Sequence, residues 1–145
     1  MEDESIFLTF PNFRQTLLVV KGGSNTGKSS SIKLAYEMLS GNQVNSGEVD
    51  KKITYGKIKI AFCSSGDTVD IIEKHIQEHN DCDIIVTACR LFGSTPDYIL
   101  TQYGKYRVLV VGSAWGKSTK IQKRNNLYVA KQICLSINGL LVQYF

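Results

Sequence analysis

The sequence predicts an α/β fold built on a mostly parallel sheet, and three observations carry that prediction. Compact runs of β-forming residues without polar alternation, LLVV at 17–20 and DIIVTA at 83–88, read as strands buried on both faces, and RVLVVG at 107–112 reads as a further strand. Segments with apolar residues at helical spacing fall between them. Glycine-, serine- and asparagine-rich turns separate the two kinds of segment, the alternation expected of strand–helix–strand units. In such a sheet, right-handed crossovers bring the C-terminal ends of all parallel strands to one edge.

Each element follows in order. After strand 17–20, residues 28–40 predict a helix with Ile32, Ala35, Tyr36 and Leu39 on one face, stopped by Gly41. GNQVNSGEVD reads as a loop, and ITYGKIKIAF as two short strands about a Tyr55-Gly56-Lys57 turn, the second covering 58–62. The turn CSSGDT leads to a helix with Val69, Ile72 and Ile76 on one face, ending near Asn80. After strand 83–88 and the loop RLFGST, Pro96 suits the first turn of a helix running to about Tyr103, with Ser94 or Thr95 as its cap. Strand 107–112 comes next, then a polar, basic loop over 113–125. The last helix starts at Asn126 with Leu127, Ala130, Cys134 and Ile137 on its inner face. Asn138-Gly139 is a candidate stop, and 140–145 fits either helix or strand.

The chain has 145 residues, the size of one ordinary domain, so 1–145 is expected to fold as a single unit. Apolar runs of about four residues are far short of the roughly 20 that a membrane helix needs. MEDESIFLTF has no basic stretch before an apolar run, so no secretory signal is read there. Cys63, Cys82, Cys89 and Cys134 form no CxxC pair and read as small buried thiols, a pattern that suits a reducing cytoplasm. His75 and His79 are spaced i, i+4, which can serve a metal. With no further Cys or His close by in sequence to complete a set, a solvated helix face is the expectation. Charge is uneven along the chain. Residues 1–97 hold 10 Lys/Arg and 13 Asp/Glu, whereas 98–145 hold seven Lys/Arg and no acid.

The strongest motif is Gly22-Gly23-Ser24-Asn25-Thr26-Gly27-Lys28-Ser29, which fits G-x-x-x-x-G-K-[ST] at every fixed position. Four residues between the glycines make a loop wide enough to wrap a phosphate with backbone N–H groups. Gly27 lets the chain turn closely into a helix whose N-terminus favours negative charge. Lys28 is placed to reach β- and γ-phosphates, the Ser29 hydroxyl to ligate Mg²⁺, and Ser30 to meet the α-phosphate. At average composition such a match arises by chance in roughly one chain per few hundred of this length. Here it also has a strand before it and an amphipathic helix after it.

Through residues 17–40 the chain resembles the P-loop NTPase superfamily. The resemblance implies a three-layer α/β sandwich, the P-loop NTPase fold, and binding of a nucleoside triphosphate, ATP or another, with Mg²⁺. It rests on about a sixth of the chain by motif and on strand–helix alternation elsewhere.

A second Gly-Lys-Ser follows strand 107–112, in Gly112-Ser-Ala-Trp-Gly116-Lys117-Ser118. Only three residues separate its glycines, Trp115 fills the turn, and TKIQKRNN shows no apolar periodicity, so it is not expected to be a second phosphate loop. On the same sheet edge, Lys117, Lys120, Lys123 and Arg124 would lie beside the phosphates or meet a nucleic acid or phosphorylated acceptor, with Trp115 stacking on a base. The plainer reading is a solvated loop with an anchoring tryptophan.

Phosphoryl transfer needs a carboxylate, for Mg²⁺ or for the proton of the nucleophile. The run of four apolar residues ending in Asp-Glu, typical of motor ATPases, is missing. The acid just beyond a strand's C-terminal end is Asp67, which reads either as Mg²⁺ ligand or base, or as the cap of the helix from Val69. Arg90, just past strand 83–88, is placed to clamp phosphate oxygens or to form an ordinary ion pair. Without the acidic pair that polarises water, a small kinase-like phosphotransferase is the first functional reading. A slowly hydrolysing, nucleotide-switched module that holds nucleic acid through the basic C-terminal third is the second. A GTPase is disfavoured, because Asn-Lys-x-Asp and DxxG are both lacking.

Overall fold

The computed structural model describes residues 15–23, 26–45 and 47–144. Five strands form one sheet: β1 (Thr16–Lys21), β2 (Asp50–Tyr55), β3 (Ile58–Cys63), β4 (Ile84–Cys89) and β5 (Arg107–Gly112). Their order is β2-β3-β4-β1-β5. β3, β4, β1 and β5 run parallel, and β2 is antiparallel to β3. The helices are α1 (Lys28–Ser40), α2 (Val69–Glu78), α3 (Ser94–Leu100) and α4 (Thr119–Tyr144). The chain is therefore α/β with a mixed, mostly parallel sheet, compatible with a three-layer arrangement.

Alternation along β1 explains its unbroken apolar run. Leu18 and Val20 join Ile32, Tyr36, Ile133 and Ile137 in the cluster beneath α1 and α4. Leu17 and Val19 join Ile72, Ile76, Ile85 and Ile99 in the cluster beneath α2 and α3. Both faces of β1 are covered, so neither can be polar. β2 behaves in the opposite way. It is an edge strand carrying exposed Lys51 and Lys52, charges that discourage pairing with another chain. It starts at Asp50, inside the segment read as loop, because β3 supplies ladder partners from Asp50↔Cys63 to Tyr55↔Ile58.

The C-terminal helix corrects the sequence reading most. It opens at Thr119, seven residues before Asn126, and runs through Gly139 to Tyr144. Ser118 starts it, with its Oγ accepting from Ile121 N at 3.2 Å and its carbonyl accepting from Gln122 N at 2.8 Å. The first two turns are polar because they lie beside the C-terminal edge of the sheet, and a polar face shows no apolar period. Leu127 is 41% exposed, while Val129, Ala130, Ile133, Cys134, Ile137 and Leu140 form the buried stripe. Helix α3 ends at Leu100, shorter than expected, and neither Ser94 nor Thr95 caps it. Gly93 precedes it, and Thr95 Oγ1 instead accepts from Arg90 N at 2.9 Å.

The histidines reverse their expectation. His75 and His79 are each only 6% exposed, because α2 turns that face onto β2 and β3 rather than to water. All four cysteines are buried and free, as expected. Among the described residues no helix is long and apolar enough to cross a membrane.

Ile133 and Leu127 give a direct test of the α4 stripe. Ile133→Ala should lower unfolding free energy by about 2–5 kcal/mol, whereas Leu127→Ala should change it by only about 0.5 kcal/mol, both measured by urea denaturation.

Candidate functional site

The site is assembled at the C-terminal edge of the parallel strands. β1 delivers the chain to Gly22, whose N–H donates to Cys89 O at 3.2 Å. Gly27 adopts a left-handed conformation, φ 78°, and starts α1 with no side-chain cap. A Cβ there would lie 1.9 Å from Asn126 Oδ1, so strain and space both select glycine. The first intrahelical bond is Ser31 N to Gly27 O at 2.8 Å. The N–H groups of Lys28, Ser29 and Ser30 therefore lack intrahelical acceptors, and the first turn holds no acidic side chain. An uncapped helix start of this kind favours an anion.

Lys28 folds back over the loop, its Nζ donating to Gly22 O at 2.7 Å and Gly23 O at 3.0 Å. Burial lowers its pKa and the nearby Asp67 opposes that shift. Thr26 Oγ1 donates to Gly23 O at 2.7 Å and accepts from Ser113 Oγ at 2.6 Å, tying the loop to the segment after β5. Ser24 and Asn25, two of the residues expected to wrap the phosphate, lie outside the described residues.

β4 separates β1 from β3, so the loop after β3 must cross the end of β4 to reach the loop after β1. It does so at Gly66, where an added Cβ would sit 2.0 Å from Ala88 O. The expected turn residue is thus required for close approach. Ser29 Oγ donates to Ser64 O at 3.0 Å across the same gap. Asp67 then faces the cleft, 70% exposed, with Arg90 Nη2 3.9 Å from its Oδ1. Capping falls to Thr68 instead, whose Oγ1 accepts from Ile71 N at 3.3 Å. That removes the capping role considered for Asp67.

Thr26, Gly27, Lys28, Ser29, Ser30, Asp67 and Arg90 line one open cleft of about 540 Å³. Gln122 and Asn126 of α4 complete its wall, and the sequence reading missed both. Gln122 Nε2 donates to Thr26 O at 3.3 Å, Ala114 O at 3.0 Å and Asn126 Oδ1 at 2.8 Å. Their signal was Ser118 as a helix-starting residue, which puts Gln122 and Asn126 one turn apart on one face.

The second Gly-Lys-Ser is used differently. Gly116 N donates to Gln122 Oε1 at 2.7 Å, and Ser118 caps α4, so these groups are satisfied within the protein. The segment braces the loop between β1 and α1 through Ser113 and Gln122. Lys117 and Lys123 border an adjoining groove with Ser30 and with Trp115, which is 65% exposed. Lys120 and Arg124 are exposed but line neither cleft. Lys120, Lys123 and Arg124 project from helix rather than loop.

No protein-family model, curated protein or solved structure matches this chain.

Thr68→Ala should cost about 1 kcal/mol of stability through loss of the α2 cap. Asp67→Asn should leave the melting temperature unchanged within about 1 °C, since an exposed pair at this separation contributes little. Differential scanning calorimetry of the two variants separates the roles.

Proposed function

We propose that the chain binds a nucleoside triphosphate, ATP first, with Mg²⁺ at the Gly22–Ser30 loop, and acts as a small kinase-like phosphotransferase of the P-loop type. The observation that carries this reading is the uncapped, acid-free start of α1 directly after a Gly-x-x-x-x-Gly-Lys-Ser loop. Lys28, Asp67 and Arg90 share the cleft onto which it opens.

Backbone N–H groups of Lys28, Ser29 and Ser30 bind phosphate oxygens, and Lys28 leaves the loop carbonyls to meet the β- and γ-phosphates. The Ser29 hydroxyl and an Asp67 carboxylate oxygen are hard donors that suit Mg²⁺, which when bound neutralises charge on the phosphates. Arg90 holds γ-phosphate oxygens. An acceptor hydroxyl oxygen forms a bond to the γ-phosphorus as the bond from that phosphorus to the bridging oxygen breaks. The nucleoside diphosphate leaves, and the acceptor's proton passes to Asp67 or through it to water.

A second reading has its own support. The acid-free last third, with Lys117, Lys123 and exposed Trp115 beside the cleft, suits a nucleotide-switched module that hydrolyses slowly and holds single-stranded nucleic acid. Its affinity would fall steeply with salt.

The deciding measurement follows label from γ-labelled ATP with Mg²⁺, with and without nucleosides, nucleotides and oligonucleotides. Label on one acceptor supports the phosphotransferase. Label that remains on ATP, or appears only as slow free phosphate, supports the binding module. Lys28→Ala should abolish binding or turnover, and unchanged behaviour would refute the phosphate-site assignment. Asp67→Asn should retain nucleotide but lose turnover by about 10²-fold or more. Lys117→Glu with Lys123→Glu should weaken oligonucleotide binding more than Lys120→Glu with Arg124→Glu, as read by fluorescence anisotropy.

A further inference from the structure

Behind the loop that carries Asp67 lies a second constellation, on the side of the sheet that α2 covers. Asp50 opens β2, Cys63 closes β3 directly opposite it, and His75 from α2 and His79 from the C-cap of that helix lie close to them. One donor atom from each of the four residues lies within 4.8 Å of every other. Cys63, His75 and His79 are buried, and only Asp50 reaches solvent. We propose that Asp50, Cys63, His75 and His79 form a structural site for a zinc-class divalent cation.

The donor set fits this chemistry. One thiolate, two imidazoles and one carboxylate make a mixed S, N, O shell of the kind Zn²⁺ accepts, and four protein donors leave no position open for catalysis. Tetrahedral zinc, with bonds of about 2.0–2.3 Å, places its donors about 3.3–3.7 Å apart, so the cluster closes on an ion with shifts on the order of 1 Å. Asp50 is half exposed and free to make such a shift.

The histidine rings supply a second, independent observation. His75 Nε2 is 3.0 Å from Ser65 Oγ, and His79 Nε2 is 2.8 Å from Asp50 Oδ1. The Nδ1 atom of each ring is buried without a hydrogen-bond partner among the described residues. Buried polar atoms normally find partners, and His75 shows the division of a metal-ligating imidazole, an outer hydrogen bond at Nε2 and an open Nδ1, whereas the His79–Asp50 contact joins two of the proposed ligands. Cys63 Sγ has only a long contact, 3.8 Å, to Asp50 Oδ1. On binding, the Cys63 S–H proton leaves to solvent as the sulfur–metal bond forms.

The consequence is mechanical. The ion would join the sheet edge to α2 and, through the Ser65–His75 contact, hold the 64–67 loop from behind. The proposal does not depend on the nucleotide reading, because it uses none of the cleft residues.

The test uses the full chain, stripped with chelator and titrated with Zn²⁺ against a chromophoric competitor, then with Co²⁺ as the spectroscopic probe. One equivalent of Zn²⁺ should bind, and Mg²⁺ and ATP should not compete for it. The Co²⁺ form of the unaltered chain should show a thiolate charge-transfer band and the intense visible bands of a tetrahedral site. Cys63→Ser should abolish the charge-transfer band and weaken Zn²⁺ binding by more than about 100-fold, beyond the 10–100-fold that loss of an outer partner costs. Cys82→Ser should change neither. Absence of stoichiometric binding by the unaltered chain, an octahedral Co²⁺ spectrum, or equal binding by Cys63→Ser would each overturn the site. The first two outcomes need no variant to fold.

Discussion

The constraint on which the site depends is the position of β4 between β1 and β3. The Gly-Lys-Ser loop that opens α1 follows β1, and Asp67 follows β3, so one strand separates them. A loop that crosses a strand end must approach its backbone closely, and at Gly66 the approach leaves no room for even a Cβ beside Ala88 O. Just before the crossing, Ser64 O accepts from Ser29 Oγ, which ties the loop after β3 to the first turn of α1. Without that crossing Asp67 would not reach the cleft onto which the first turn of α1 opens.

The two Gly-Lys-Ser segments show how similar sequence can carry opposite tasks. After β1, the helix starts at a left-handed glycine and leaves its first N–H groups open. After β5, Ser118 caps the helix and Gln122 takes up the Gly116 N–H. Open donors suit an anion, whereas satisfied donors suit a brace. The second segment fulfils the bracing role through Ser113, which donates to Thr26 Oγ1 in the loop before α1.

A common loop links the two candidate sites. Residues 64–67 touch α1 through Ser64 on one side and His75 through Ser65 on the other. Order imposed on α2 and the β2–β3 edge would therefore be transmitted to the residue that supplies the carboxylate.

The sequence by itself determined the parallel strands, the Gly-x-x-x-x-Gly-Lys-Ser turn between β1 and α1 and the place of Asp67 beyond a strand. These depend on local signals: residues 17–20 of β1 are apolar because both faces of the strand are covered, and Gly27 takes a left-handed φ that glycine adopts most readily. The tertiary structure decided which residues meet across long separations. His75 and His79 read as a solvated pair because their partners Asp50 and Cys63 are more than ten residues away, and a helical period does not say what a face packs against. Gln122 and Asn126 were hidden for a related reason. They lie on a polar helical turn that packs against a functional edge, where apolar periodicity, the main signal of a helix in sequence, is absent.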